Sequence, residues 1–378
     1  MRFIHLLIGT ADPNTANGVN KVVDSLATAQ AEAGVAVEVW GVSNRCPAAA
    51  GRRSYPLRLF PRRRARFLLD EQLVSSIKTL GPEDWVQLHS VFVPELVTVA
   101  KHLRERNVPY GATPHGALAG PAFAKNYAQK RLFFRCFEEN RMRHAALLHA
   151  ISSEERSAIM RLLPGKEVTV IPNGCDARHF AFVKTYAART EPVFGYIGRM
   201  TIPQKGLDLM LAGFAEYVRS GGRGSLWMVG EGEDEGKLRE IAHQHGMRER
   251  IIFHGPKYGA EKDRLLLGMN AFLHTSRWEG LPTACLEAAA MRRPLIVTRE
   301  TGMQDYVQRY QCGISLADSQ PTTIACALHE FSAQHCSGAA LNWGERAAEM
   351  IQHELNWPHV ARLFEQEISK LQASAACA

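Results

Sequence analysis

The sequence predicts an α/β fold of two doubly wound domains, each a parallel sheet covered by helices. Three observations predict it. Short apolar runs of strand length alternate with helix-length amphipathic stretches. The alternation restarts in the second half, after a polar stretch near 181–191. The 378 residues exceed one core of ordinary size, so two domains of about 150–200 residues each are expected.

In order along the chain, residues 3–8 read as a first strand. Gly18 opens a helix to about residue 33, which Gly34 caps before a strand at 35–40. Further strands are expected at 85–88, 110–113, 147–150 and 168–171, with helices near 70–80, 93–106, 126–144 and 153–162. The second half repeats the grammar with strands at 193–197, 225–229, 251–253, 271–274 and 294–297. Helices at 206–219, 235–245, 260–267 and 282–291 separate them. A last helix, about 357–372, starts at Asn356-Trp357-Pro358 and carries a stripe of Val360, Leu363, Phe364 and Ile368. The expected division is 1–185 and 186–356, joined near 185. A ligand groove is expected beyond the carboxyl ends of the strands, where open α/β sheets bind.

Charge narrows the partners. The net charge of +7 favours an anionic one. Segment 52–66 carries Arg52, Arg53, Arg58, Arg62, Arg63, Arg64 and Arg66 with no acid, interleaved with Tyr55, Leu57, Leu59 and Phe60. It reads either as a peripheral patch for anionic lipid or as a solvated, mobile loop. Segment 125–144 is also basic. No recognition motif accompanies the charge, so nucleic acid is not expected. The eight cysteines sit singly, with no CxxC pair, which fits free thiols and neither a zinc ribbon nor a disulfide framework. The apolar run at the start is too short for a signal peptide, and no stretch approaches about 20 apolar residues, so a cytoplasmic protein is expected.

Two segments carry chemistry. In 271–302 a strand ends at His274, a loop follows, and Pro282 starts a helix. The amides of Gly280, Leu281 and Thr283 then become free donors at a helix tip, a ready phosphate site. Glu279 precedes the tip and Glu287 follows within the helix. Two carboxylates beside a phosphate site make sense as acceptors for sugar hydroxyls. In 195–208 a strand ends in Gly195-Tyr196-Ile197-Gly198, followed by Arg199 and then Lys205-Gly206. Two cations there suit a departing diphosphate. The chain lacks a GxGxxG fingerprint in its first βα turn, which argues against a nicotinamide enzyme. The acidic run Glu231 to Glu235 reads as an exposed helix start rather than a metal site.

These motifs together resemble glycosyltransferase family 4. The match is carried by Arg199…Lys205-Gly206, Gly230-Glu231-Gly232, Phe253-His254-Gly255 and Ser276-Arg277-Trp278-Glu279-Gly280-Leu281-Pro282…Glu287. Pro114-His115-Gly116, Ile151-Ser152 and Ile171-Pro172-Asn173-Gly174 extend it into the first half. The resemblance is greatest to bacterial members that build exopolysaccharides and lipopolysaccharide cores. It implies a GT-B fold whose last helix crosses back onto the N-terminal domain. That domain, 1–185 with 357–372, would take the acceptor, and 186–356 the nucleotide sugar. It also implies sugar transfer with retention, needing neither metal nor cofactor, to a glycan or lipid-linked acceptor.

Carried over by position, Arg199 and Lys205 hold the diphosphate and Glu287 the ribose hydroxyls. Glu279, with the amides of Gly280, Leu281 and Thr283 around Pro282, grips the donor sugar and β-phosphate. Gly255, Pro256 and Lys257 meet the base through backbone. His115 lies beside the transferred sugar, and Gly18 lets the first loop approach the donor phosphate. Two stretches depart from the family's pattern: Ala16-Asn17-Gly18-Val19, where a double glycine is common, and Glu300 to Met303, where a Gly-rich stretch is usual. Competing readings are a GT-B-type sugar-nucleotide epimerase or hydrolase, and a non-catalytic, membrane-associated module that binds a nucleotide sugar.

Overall fold

The computed structural model describes residues 2–13, 18–45, 53–118, 127–176 and 191–376. It divides into two compact units, one of Met1–Gly174 with Trp357–Ala378 and one of Cys175–Asn356. The polar stretch expected as the joint, at 181–191, lies almost wholly outside the described residues.

Unit 1 holds strands β1 (Phe3–Leu7), β2 (Val37–Val42), β3 (Leu57–Phe60), β4 (Trp85–His89), β5 (Tyr110–Thr113), β6 (Leu147–Ala150) and β7 (Thr169–Val170), in the order β3-β2-β1-β4-β5-β6-β7. The strand pairs are parallel. Side chains alternate across the pleat. From β1, Ile4 and Leu6 enter one buried layer, whereas Phe3 and Leu7 enter the other. That second layer is closed by helix α1 (Gly18–Glu32) and by the last helix, Trp357–Ala376. Val22, Val23 and Leu26 of α1 share it with Val360, Phe364 and Ile368, as the apolar stripe predicts. Gly174 has its own reason here, because a Cβ on it would sit 2.7 Å from the Trp357 ring.

Unit 2 holds β8 (Val193–Ile197), β9 (Ser225–Val229), β10 (Ile251–Gly255), β11 (Ala271–His274), β12 (Leu295–Thr298) and β13 (Gly313–Leu316), in the order β10-β9-β8-β11-β12-β13. In both sheets the chain order reverses beside the first strand, at β1/β4 and at β8/β11. Ligands bind beyond the carboxyl ends at such points. The helices Gln304–Tyr310, Pro321–Cys336 and Ala340–His353 and the strand β13 complete unit 2 beyond the expected elements.

The arginine-rich segment is corrected. It is not a loop throughout, since Leu57–Phe60 forms the edge strand β3, flanked by Pro56 and Pro61, whereas 61–66 has no helix or strand. Four of its arginines have acids from elsewhere in the chain. Arg53 lies 3.4 Å from Asp24, Arg62 2.6 Å and Arg66 3.7 Å from buried Glu95, and Arg63 3.3 Å from Asp70. The Arg58 guanidinium lies 5.3 Å from the Trp40 ring and bonds Ser76 Oγ. Arg52 lies outside the described residues. Among the described residues, no helix is long and apolar enough to cross a membrane.

Candidate active site

The carboxyl ends of β8 and β11 bring two of the expected donor-site residues of unit 2, Lys205 and Glu279, together. After β8 the chain passes Arg199, which is exposed, and turns into a short helix, Ile202–Lys205. Two glycines make room for this turn. A Cβ on Gly230 would lie 2.0 Å from the Gly198 carbonyl, and one on Gly232 2.3 Å from that of Met200. Asp234, expected as an exposed helix start, is buried and accepts the Ile202 amide at 2.8 Å.

Gly206 stops the short helix in the left-handed region, φ +60. Its missing Cβ is also required by space, since the atom would lie 2.3 Å from the Thr275 carbonyl. Thr275 Oγ1 in turn donates to the Gly206 carbonyl at 3.1 Å. Arg277 ties the two loops further. It donates to the Ile202 carbonyl at 2.8 Å and grips Asp208 with two bonds of 2.9 and 2.7 Å.

The zippered loops set Lys205 Nζ directly on Glu279 Oε2. Both side chains are mostly buried, at 12% and 17% exposure. Burial pushes the Glu279 carboxyl up, but His274, with Nε2 3.9 Å away, and the Lys205 charge outweigh it and hold it at about 2. Arg199 joins the group through Tyr196, whose hydroxyl donates to the Arg199 carbonyl at 2.9 Å and feels both Glu279 and Arg199.

Helix Thr283–Ala290 follows. The expectation that Pro282 is its first residue is corrected by one position, because Pro282 is the N-cap with an extended ψ of 119. No side chain caps this end. Cys285 and Leu286 take the Pro282 carbonyl, so the amides before them have no partner within the helix. Glu287, one turn on, pairs with Lys262 Nζ at 2.7 Å. Gly255 ends β10 at φ +68, and its carbonyl accepts the Gly230 amide at 2.9 Å. Pro256 is exposed beyond it, and Lys257 lies 3.7 Å from Glu261.

In unit 1, His115 stands just past the end of β5 in the left-handed region, φ +56, followed by Gly116 at φ +78. A side chain in that conformation is strained. Glu155 holds the turn by accepting the Gly116 amide, and its other oxygen takes that of Ile151 at 2.9 Å. Burial raises the Glu155 carboxyl to about 7 against the pull of those two amides. Ser152 caps the helix that follows by accepting the Glu155 amide at 3.2 Å. His115 Nε2 lies 2.9 Å from His89 Nδ1. Gly18 opens α1 and is exposed, with nothing within 4 Å of a built Cβ, so unit 1 itself does not require glycine there.

Sequence reasoning missed Lys262, His274 and the Arg277–Asp208 clamp. It assigned the four charges at positions 205, 279, 262 and 287 no mutual pairing, since each partner lies 25 or 74 residues away. Among the described residues, no group of three His, Cys, Asp or Glu side chains could hold a metal ion. Of the cysteines, those at 136, 175, 285, 312, 326 and 336 form no disulfide, and those at 46 and 377 lie outside the described residues.

Known proteins resemble this chain in sequence and fold. The sequence model of Glycosyl transferases group 1 matches residues 178–350, and that of Glycosyltransferase Family 4 matches residues 16–179. Glycogen synthase of Mycobacterium tuberculosis is 29% identical over 196 residues, 52% of this chain and 46% of its own length. The putative colanic acid biosynthesis glycosyltransferase WcaL of Escherichia coli is 24% identical over 199 residues, 51% of this chain and 48% of its own length. The matches thus span about half the length of these relatives. Anabaena HepE, solved with UDP and glucose, superposes with a TM-score of 0.74 at 16% identity, over 98% of this chain and 100% of that one.

Proposed function

We propose, for a chain that belongs to glycosyltransferase family 4 and has its two-domain GT-B fold, the transfer of a hexose from a nucleotide diphosphate to a glycan or lipid-linked acceptor. The proposed reaction retains anomeric configuration and uses no metal, and the proposed setting is bacterial surface polysaccharide synthesis, as the likeness to WcaL suggests. The donor we propose is a uridine one, the nucleotide that HepE was solved with.

One observation carries this reading: Lys205 and Glu279 form a closed pair at the β8/β11 switch point, beside a helix tip that no side chain caps. Without a ligand, a mostly buried cation needs a resident anion. A diphosphate supplies a stronger one. Its oxygens would take Lys205, the exposed Arg199 and the free amides after Gly280. Glu279 would then be released to accept hydroxyls of the sugar, and Glu287, through exchange with Lys262, those of the ribose. Gly255, Pro256 and Lys257 offer backbone to the base, and His115 offers its ring to the sugar.

In the proposed step the bond between the anomeric carbon and the β-phosphate oxygen breaks. The acceptor oxygen bonds that carbon on the same face, and its proton passes to the departing phosphate. Lys205 and Arg199 stabilise the charge that gathers there, typically the largest contribution to such catalysis. The supporting experiment is a thermal-shift screen with UDP-, GDP- and ADP-hexoses, followed by NMR of the product linkage. A rise with UDP-hexose and an α-linked product from an α-linked donor support the proposal. No rise with any of them, or an inverted product, sinks it.

Exposed Arg63, Arg66, Phe67 and Leu68 support a peripheral hold on anionic lipid. Flotation with phosphatidylglycerol vesicles tests it, and recovery equal to that with neutral vesicles rules it out.

A further inference from the structure

Behind His115 the buried layer of unit 1 contains an uninterrupted chain of rings. His5 lies in β1, inside the apolar run FIHLL, and is fully buried. Its Nε2 is 2.6 Å from Gln30 Oε1, on α1, and its Nδ1 is 2.8 Å from His89 Nε2. His89, at the end of β4, places its Nδ1 2.9 Å from His115 Nε2. Gln30 and His89 are as deeply buried as His5. Among the described residues, His115 Nδ1 makes no hydrogen bond.

A neutral imidazole has one N–H and one lone pair, so each ring in such a chain passes its polarity to the next. Gln30 sets its Oε1 toward His5 and leaves its Nε2 buried without a partner; with Oε1 accepting, His5 Nε2 carries a hydrogen and its Nδ1 accepts, whereas the turned amide would reverse every bond in the chain. His89 Nε2 must then donate to that Nδ1, which leaves His89 Nδ1 accepting from His115 Nε2. We propose that Gln30, His5 and His89 are positioning residues that fix His115 as its Nε2–H tautomer, so that Nδ1 faces the ligand as an acceptor for a hydroxyl. The chain requires His5 and His89 neutral, because a second hydrogen on either would face its neighbour's, and His115 must keep its Nδ1 bare to accept. Burial meets this requirement, lowering His5 to about 4 and His115 to about 3, with His89 held well below its usual value.

A second run in the same layer obeys the same rule. His149 Nε2 donates to the Ile171 carbonyl at 2.6 Å, so its Nδ1 accepts from Thr113 Oγ1 at 2.9 Å. Thr113 accepts from Gln87 Nε2 at 2.8 Å, and Gln87 Oε1 accepts from Trp85 at 3.1 Å. That run ends on backbone. The run through His5 ends on His115 and therefore has a free terminus to present.

The tautomer assignment stands on unit 1 alone; that the hydroxyl belongs to a sugar rests on the function proposed above. The test is a long-range proton–nitrogen NMR spectrum of the full chain with nitrogen-15 histidine, with the rings assigned through backbone connectivities. At neutral pH, His5, His89 and His115 should each show a protonated Nε2 and a bare Nδ1. A protonated Nδ1 on His115 overturns the proposal. Gln30→Met, which removes the acceptor, should let an Nδ1-protonated fraction of His115 appear, whereas Gln30→Glu should not. An unchanged His115 in Gln30→Met overturns the coupling. In sugar transfer, Gln30→Met should lower kcat/KM about tenfold, the scale of one hydrogen bond to the ligand, and Gln30→Glu should restore most of it. The expected tautomers in a protein that transfers no sugar would uphold this inference and sink the proposed function.

Discussion

The two units share one fold and arrange their polar groups in opposite ways. At the β8/β11 end, Lys205, Glu279, Lys262 and Glu287 form charged pairs that are mostly buried. At the β1/β4/β5 end, His5, His89, His115 and His149 form neutral hydrogen-bonded runs held neutral by burial. Charge suits an anionic ligand that arrives and leaves with its charge. Fixed polarity suits the orientation of an uncharged hydroxyl.

Four expected outcomes break or sharpen this contrast, in falling order of effect. Replacing Lys205 by alanine should lower kcat by about 100-fold or more, the scale of losing one charge-stabilising donor. Near-normal turnover would remove the catalytic half of the comparison. Gly206→Ala should destabilise unit 2 by about 2 kcal/mol or more, because its Cβ meets the Thr275 carbonyl and its φ is positive. Chemical denaturation followed through unit 2 would show it, and an unchanged midpoint would deny that the two loops need this close approach.

Third is the pH dependence of unit 1. His5, His115 and His149 protonate in the folded chain only at about 4, 3 and 4, and His89 lower than usual as well. The unfolded chain takes up those protons from about pH 6.5 downward. Their stabilisation is therefore complete above about 6.5 and is lost as pH falls toward 4. Glu155 acts in the opposite sense: raised to about 7, its contribution is present at low pH and lost as pH rises from about 4.5. Four groups against one leave a net loss toward acid, measurable as a falling melting temperature of unit 1 between pH 6.5 and 4.5. A flat profile would mean the rings are not held neutral. The smallest effect is expected for Ser152→Ala, which removes the helix cap beside Glu155 and should cost about 1 kcal/mol in the same denaturation assay.

Local periodicity made most of the fold legible. The strands Tyr110–Thr113, Leu147–Ala150, Val193–Ile197, Ser225–Val229 and Ala271–His274 begin and end where their apolar runs do. Strand β3 escaped because its Leu-Arg-Leu-Phe alternation was masked by arginines that read as a charge cluster. Their acids, at 24, 70 and 95, come from other elements, and spacing along the chain carries no trace of that. The same limit applies to the site. The glycines, the helix tip and the charged residues could be read locally. The pairing of Lys205 with Glu279, 74 residues on, and the run from Gln30 to His115 are products of sheet order alone. His5 left one local signal, a polar ring in an otherwise apolar buried strand.

The central claim is that a nucleotide diphosphate takes Lys205 away from Glu279. The most direct measurement is the dissociation constant of UDP by calorimetry for the intact protein and for Lys205→Ala. The account predicts binding at least about tenfold weaker in the variant, since a phosphate oxygen loses its charged partner. Equal affinity in the two proteins would contradict it.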